Sequence, residues 1–228
     1  MLVHSSTLSN KEIRDQVVSL IAAGFSTTSG AMAWAVYGLL TTPGAWRRAA
    51  AEVHAVIGDR APTGADLSRL TYLNGVVHEA LRLFPPAAIW ARSVVEEFEF
   101  AGKRIGGGSF LLFSPYVTHR LPEVWPDPLL FRPERWDPDR VDYRKPGPHE
   151  FLPFGGGPHR CIGANMATTH LTMMLARLVA HTELRLESTK IRPVSPTILR
   201  PRHGLLVKIL ELRNEVGAKT VHTEAQQD

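Results

Sequence analysis

Residues 154–163 read FGGGPHRCIG and carry the only cysteine of the chain, Cys161. Glycines at 155–157 let the backbone take positive φ and pass close to a flat ligand. His159 and Arg160 place positive charge beside the thiol. The periodic apolar run that follows, IGANMATTHLTMMLARLVAHT, predicts a helix opening at Cys161. Unpaired backbone N–H groups and the helix dipole at such a terminus favour thiolate over thiol.

A soft anionic sulfur on a flexible, basic loop suits a metal held in a bulky planar cofactor, haem iron being the obvious case. Phe154 offers a ring to lie against it. Taken alone, the loop also admits a buried structural cysteine, or a nucleophilic cysteine using a histidine base. One cysteine in 228 residues excludes an internal disulfide and a multi-cysteine zinc site, and fits a reducing compartment. The net charge of +4 favours acidic partners but is too small to indicate nucleic acid.

The N-terminal MLVHSSTLSNKEIRD lacks the apolar core of a secretory leader. Residues 16–46 contain no charged side chain, long enough to span a bilayer. The small and hydroxylated cluster STTSG at 26–30 instead favours a helix buried inside protein, so a membrane span is rejected and a cytoplasmic location expected.

Ser9 and Glu12 have capping-box spacing, predicting a long helix from there to about Thr42, ended by Pro43 and Gly44. AWRRAAAEVHAVI predicts a second helix stopped by Gly58, and TYLNGVVHEALRLF a third closed by Pro85 and Pro86. FEFAGKRIGGGSFLLF and the C-terminal part predict short strands around glycine turns. Between them, residues 115–153 are rich in Pro, Asp, Arg and Trp without periodicity, as a long functional loop would be. The fold class is mainly α with small β-sheets, over residues 1–213, with a polar tail at 214–228 expected to be disordered.

Glu79 and Arg82 share a helix face three residues apart. Their flanks are apolar, so the pair is expected to be buried and to need further partners; Arg135, in RPERW, is available.

These pieces together resemble the cytochrome P-450 family of haem-thiolate monooxygenases. AGFSTT at 23–28 is similar to the oxygen-activating part of the family's long central helix. EALR at 79–82 fits its E-x-x-R motif, FRPERW at 131–136 its P-E-R motif, and FGGGPHRCIG its haem-binding signature, all in the family's order. The resemblance implies haem b ligated by Cys161, with Phe154, Gly155, Gly157 and Gly163 shaping the loop and Gly24 allowing close approach. His159 and Arg92 stand at propionate-binding positions. Glu79, Arg82 and Arg135 stand where the family has a buried charge triad that holds the cysteine loop in shape.

Thr27 matches the family's proton-delivering hydroxyl, flanked by Ser26 and Thr28. Ser26 stands where an acid is usual, which puts the proton relay on water or substrate. Ala22, Ala23, Ala87, Ala88, Ile89, Thr197 and Ile198 fall near the substrate and imply an apolar small molecule, oxidised with O2. His119 matches a recurrent histidine without an assigned role. No G-x-G-x-x-G run is present, so electrons are expected from a separate ferredoxin, flavodoxin or reductase. Arg140, Arg144, Lys145, Arg160 and Arg177 offer a basic docking face.

Complete family members carry a large half before the central helix. The resemblance therefore implies the C-terminal, haem-binding part of such an enzyme, expected to be aggregation-prone alone. Two alternatives stay open: a catalytically incompetent, vestigial haem-binding fragment, and a haem-free cysteine-nucleophile enzyme.

Overall fold

The computed structural model describes residues 8–195, 197–213 and 219–220. Helix α1 (Asn10–Thr41) starts where the capping box predicts: Ser9 accepts from the Glu12 N–H while the Glu12 carboxylate accepts from the Ser9 N–H at 2.8 Å. Gly44, at φ +76°, turns the chain into α2 (Ala45–Val56). Helix α3 (Thr71–Leu83) is the most enclosed element, with both Glu79 and Arg82 among its buried residues. A short helix, α4 (Pro115–Thr118), interrupts the irregular segment, and α5 (Ala164–His181) follows the cysteine loop.

Helices α1, α2, α3 and α5 pack on one another. Their shared core includes Ala35, Leu39, Val53, Leu73, Val76, Leu171 and Leu175. Burial of such side chains contributes roughly 1.5–3 kcal/mol each and is what holds the helices together.

Among the described residues the strands form four small antiparallel sheets. β1 (Trp90–Ser93) pairs with β4 (Phe110–Phe113), and β2 (Phe98–Phe100) with β3 (Lys103–Ile105). β5 (Thr182–Leu186) pairs with β8 (Val207–Arg213), which also pairs with β9 (Lys219–Thr220). β6 (Pro193–Val194) pairs with β7 (Arg200–Pro201). The architecture is thus α+β, as expected. Of the tail at 214–228, only the β9 pair falls among the described residues, and the expected disorder of the rest lies outside them.

Three expectations change. Helix α5 opens at Ala164 rather than at Cys161. The reason is that the loop closes on itself first: the Cys161 N–H donates to the Phe154 carbonyl at 2.9 Å, and the Cys161 carbonyl accepts from the Ala164 N–H. Strand β1 was not predicted, because four residues after a double proline leave too short a pattern to read. Finally, only the second half of α1 is enclosed. Gly30 to Leu39 pack into the core, whereas Val17, Val18, Leu20, Ile21 and Phe25 are exposed. By length and composition α1 could cross a membrane, but its C-terminal half is core.

Two glycines explain close packing at the centre. A Cβ on Gly75 would sit 2.6 Å from the Pro133 carbonyl, so α3 approaches the irregular segment only through a bare backbone. A Cβ on Gly38 would enter the Phe131 ring.

Candidate functional site

Cys161 is exposed, and its Sγ has no hydrogen-bond partner among the described residues. It follows a 3-10 turn at Gly157–His159 and precedes the start of α5. Gly155 and Gly157 take φ of +69° and +64°, the left-handed region that a side chain would resist. A Cβ on Gly163 would stand 3.8 Å from Sγ. Phe154 is half-buried and packs on the core, while Ile162 and Met166 beyond the thiol are exposed apolar side chains. His159 is exposed and makes no hydrogen bond to Sγ among the described residues.

Arg92 lies on β1, with its guanidinium 5.8 Å from the ring centres of both Trp90 and Phe113. Its only hydrogen bond among the described residues is to the Ala91 carbonyl, so it has no carboxylate partner there. Trp90 was not singled out in the sequence. Its indole donates to the Ala87 carbonyl at 3.1 Å and covers the cysteine loop so closely that a Cβ on Gly155 would sit 2.7 Å from the ring. The only sequence signal was its place two residues before Arg92.

Gly155→Ala would combine a strained φ with this clash. It is expected to lower unfolding free energy by about 1–3 kcal/mol, measured as a fall in the urea midpoint at unchanged slope.

On α1, the Thr27 hydroxyl donates to the Ala23 carbonyl, one turn back, at 2.7 Å. This leaves its lone pairs free to accept. Ser26 is exposed, Thr28 is half-buried, and a Cβ on Gly24 would meet nothing within 4 Å. The segment after β6 reaches the same helix. Trp34 donates to the Leu199 carbonyl at 3.2 Å, and Ile198 and Leu199 line Gly30. The Leu199 N–H in turn donates to the Pro86 carbonyl at 2.9 Å. The structure therefore ties the stretch containing Ala87, Ala88 and Ile89 to that containing Thr197 and Ile198, beside α1. Ala22 and Ala23 are exposed about two turns earlier on α1.

The charge cluster is more extensive than the motif foretold. Arg82 and Glu79 are fully buried and pair through two bonds of 2.8 Å. The other Arg82 donors reach the carbonyls of His119 (2.7 Å), Pro128 (2.8 Å) and Leu130 (3.1 Å), so all five guanidinium N–H groups are satisfied. Glu79 also accepts from the Trp136 indole at 2.9 Å, the Arg132 N–H at 3.0 Å and Arg135 at 3.4 Å. Trp125 stacks over this cluster, 5.3 Å from Arg82. All these direct partners of the pair lie in the irregular segment. Its links to the loop are indirect: Trp136 packs on Phe151 with ring centres 4.5 Å apart, and His119 bonds Leu152.

His119 is fully buried. Desolvation pushes its imidazole down to about 4, with neighbouring Arg82 and Arg120 acting in the same direction; the bond to the Arg82 carbonyl and the Glu79 charge oppose the shift. Burial lowers His78 as well. An unfolded imidazole titrates near 6.5, so between 6.5 and about 4 the unfolded chain binds a proton that folded His119 refuses. Stability should therefore be full above pH 6.5 and fall through this window by about 3 kcal/mol from His119. His78 acts with the same sign. Urea midpoints measured from pH 7 to pH 4 check this, and a flat profile would contradict it.

The residues present fit a haem. An exposed soft donor stands on a loop of positive-φ glycines, apolar side chains flank it, Arg92 is a cation without a carboxylate partner among the described residues, and His159 is an exposed imidazole beside the thiol.

Fold and motif geometry of this kind define a class, and comparison with known sequences identifies it. The chain belongs to the cytochrome P450 family, whose profile matches residues 2–209. A Mycobacterium tuberculosis protein assigned as cytochrome P450 139 is 60% identical over 207 residues, covering 90% of this chain and 48% of the relative. Cyclooctatin synthase of Streptomyces melanosporofaciens is 45% identical over 188 residues, covering 82% of this chain and 40% of the relative. Cyclooctat-9-en-7-ol 5-monooxygenase from the same organism is 37% identical over 178 residues, covering 78% and 38%. The chain spans about half the length, or less, of these relatives.

Proposed function

We propose that this chain is the haem-bearing part of a monooxygenase that oxidises an apolar small molecule with O2. The observation that carries the reading is the exposed thiol of Cys161, on a positive-φ glycine loop with its backbone N–H already held by Phe154. Haem, when bound through a thiolate, supplies the electron-rich iron that activates O2.

The chain's own residues do the rest. Cys161 supplies the sulfur. Arg92 offers positive charge and His159 an imidazole hydrogen-bond donor to the propionates, and Gly155, Gly157 and Gly163 keep the loop thin. Thr27, bonded back to Ala23, presents its lone pairs to a water or substrate hydroxyl and so holds a proton path at Oγ1. Ser26 cannot act as a charged relay, and Thr28 is its half-buried neighbour. Ala22, Ala23, Ala87, Ile89 and Ile198 offer small apolar surface, while Ala88 is buried beside them. One relative is named as a 5-monooxygenase of cyclooctat-9-en-7-ol, which agrees with an apolar small-molecule substrate.

Electrons would come from a separate ferredoxin, flavodoxin or reductase, and nucleic acid has no part in the reading. Within the proposed basic docking face, Arg140 pairs with Asp142 and Arg144 with Glu150; Lys145, Arg160 and Arg177 complete it. A cytoplasmic location and completion of the fold by the rest of a longer enzyme belong to the same proposal.

The test is spectroscopic. The chain is titrated with hemin, reduced and exposed to carbon monoxide. A stoichiometric complex with the red-shifted Soret band of thiolate ligation is the expected result. A chain that binds no hemin, alone or joined to the remainder of a full-length relative, would overturn the reading.

A further inference from the structure

His119 has two ring nitrogens and two partners of fixed kind. Nδ1 lies 2.9 Å from the Arg82 carbonyl, which only accepts, and Nε2 lies 2.8 Å from the Leu152 N–H, which only donates. One form satisfies both: the neutral ring protonated at Nδ1. The ring is fixed further by Trp125 and Phe151, at centroid distances of 6.3 and 5.5 Å. The charged groups around it are Arg82, Arg120 and Glu79. Arg120 is itself tied to the Leu83 carbonyl.

From Leu152 the connection continues into the loop. The Leu152 carbonyl accepts from the Gly155 N–H at 3.2 Å, and the Phe154 carbonyl accepts from the Cys161 N–H at 2.9 Å. A line of hydrogen bonds and short backbone steps thus runs from the buried Glu79–Arg82 pair, through one imidazole, to the amide of the cysteine.

We propose that His119 is the positioning residue that transmits the rigidity of the buried charge cluster to the cysteine loop, acting as the neutral Nδ1–H tautomer through Leu152. It touches neither the thiol nor any ligand. The expectation for Cys161 ligation rests on the haem reading above, whereas the expectation for loop order does not.

Three variants of this chain, carrying hemin where they bind it, separate the bonds. Asn places a nitrogen near the Nδ1 position and keeps the Arg82 bond. Gln reaches the Nε2 position and keeps an acceptor for Leu152. Ala keeps neither. Amide hydrogen exchange is read at Leu152, Gly155 and Cys161, with α3 as internal control. His119→Ala and His119→Asn should speed exchange at Leu152 and Cys161 about tenfold relative to α3, the worth of one lost hydrogen bond, while His119→Gln stays near native. In the hemin-loaded protein the first two should lose part of the red-shifted ferrous–carbonyl band, and Gln should retain it.

Equal acceleration everywhere, or Gln behaving as Ala, would overturn the proposal. If Ala fails to fold, the Asn–Gln contrast decides. Nitrogen-15 shifts of the native ring at pH 7 give an independent reading, because a proton on Nε2 rather than Nδ1 also overturns it. Were the haem reading wrong, native protein would show no red-shifted band, yet the exchange contrast would persist.

Discussion

Arg82→Ala is expected to lower the unfolding free energy by about 3–5 kcal/mol, the cost of leaving a buried charge without its partner. Arg82 and Glu79 are completely enclosed, and Arg82 donates five hydrogen bonds, three of them to carbonyls of the irregular segment. Removal leaves the Glu79 carboxylate buried with Arg135, the Trp136 indole and the Arg132 N–H, and leaves three carbonyls unsatisfied. Against a total stability of about 5–15 kcal/mol for a typical domain, that is a large fraction. Arg82→Lys should restore little, because an ammonium has three donors and no fork to engage both carboxylate oxygens and the carbonyls together. Urea denaturation followed by circular dichroism measures the effect. An unchanged midpoint would mean that the cluster contributes nothing beyond its own desolvation. As a control, Arg140→Ala breaks the exposed pair with Asp142 and should leave the midpoint close to native.

The second large effect is its mirror image. Cys161→Ala should abolish the red-shifted ferrous–carbonyl band while leaving the urea midpoint nearly unchanged. The side chain is exposed and Sγ has no hydrogen-bond partner among the described residues, so folding loses little contact. The loop's closing bond uses the Cys161 backbone N–H, which alanine retains. Serine should fail as alanine does, because its hydroxyl is neither soft nor ionised near neutral pH. Persistence of the shifted band in Cys161→Ala would show that another group ligates the iron. A large fall in midpoint would show instead that the thiol is structural.

Together the two substitutions separate scaffold from chemistry: one removes stability and, with it, the site, while the other removes only the donor. Gly155→Ala stands between them, since it strains both the loop and its cover by Trp90.

Much of this was legible in the residues. The capping box of α1, the double proline after α3 and the glycine run before Cys161 are local signals, set by backbone geometry over a few residues. The start of α5 was misplaced by three residues, because a backbone bond from Cys161 back to Phe154 competes with helical bonding, and periodicity carries no trace of that. Trp125 carries no spacing signal, Trp90 only its place near Arg92, and Trp136 only its place at the end of FRPERW. Their importance comes from rings meeting across segments far apart in the chain.

By itself, then, the amino-acid order determined the long helices though not α4, the lone thiol on its glycine loop and the placement of an acid and a base on one face of α3. These depend on short-range sterics and hydrogen bonding. Only the tertiary structure decided that Glu79 and Arg82 lie wholly out of water, that His119 bridges the Arg82 carbonyl and the Leu152 N–H, and that the first half of α1 stays exposed. Burial and the pairing of distant polar groups are set by which surfaces meet, and that depends on the whole packed chain rather than on any stretch of it.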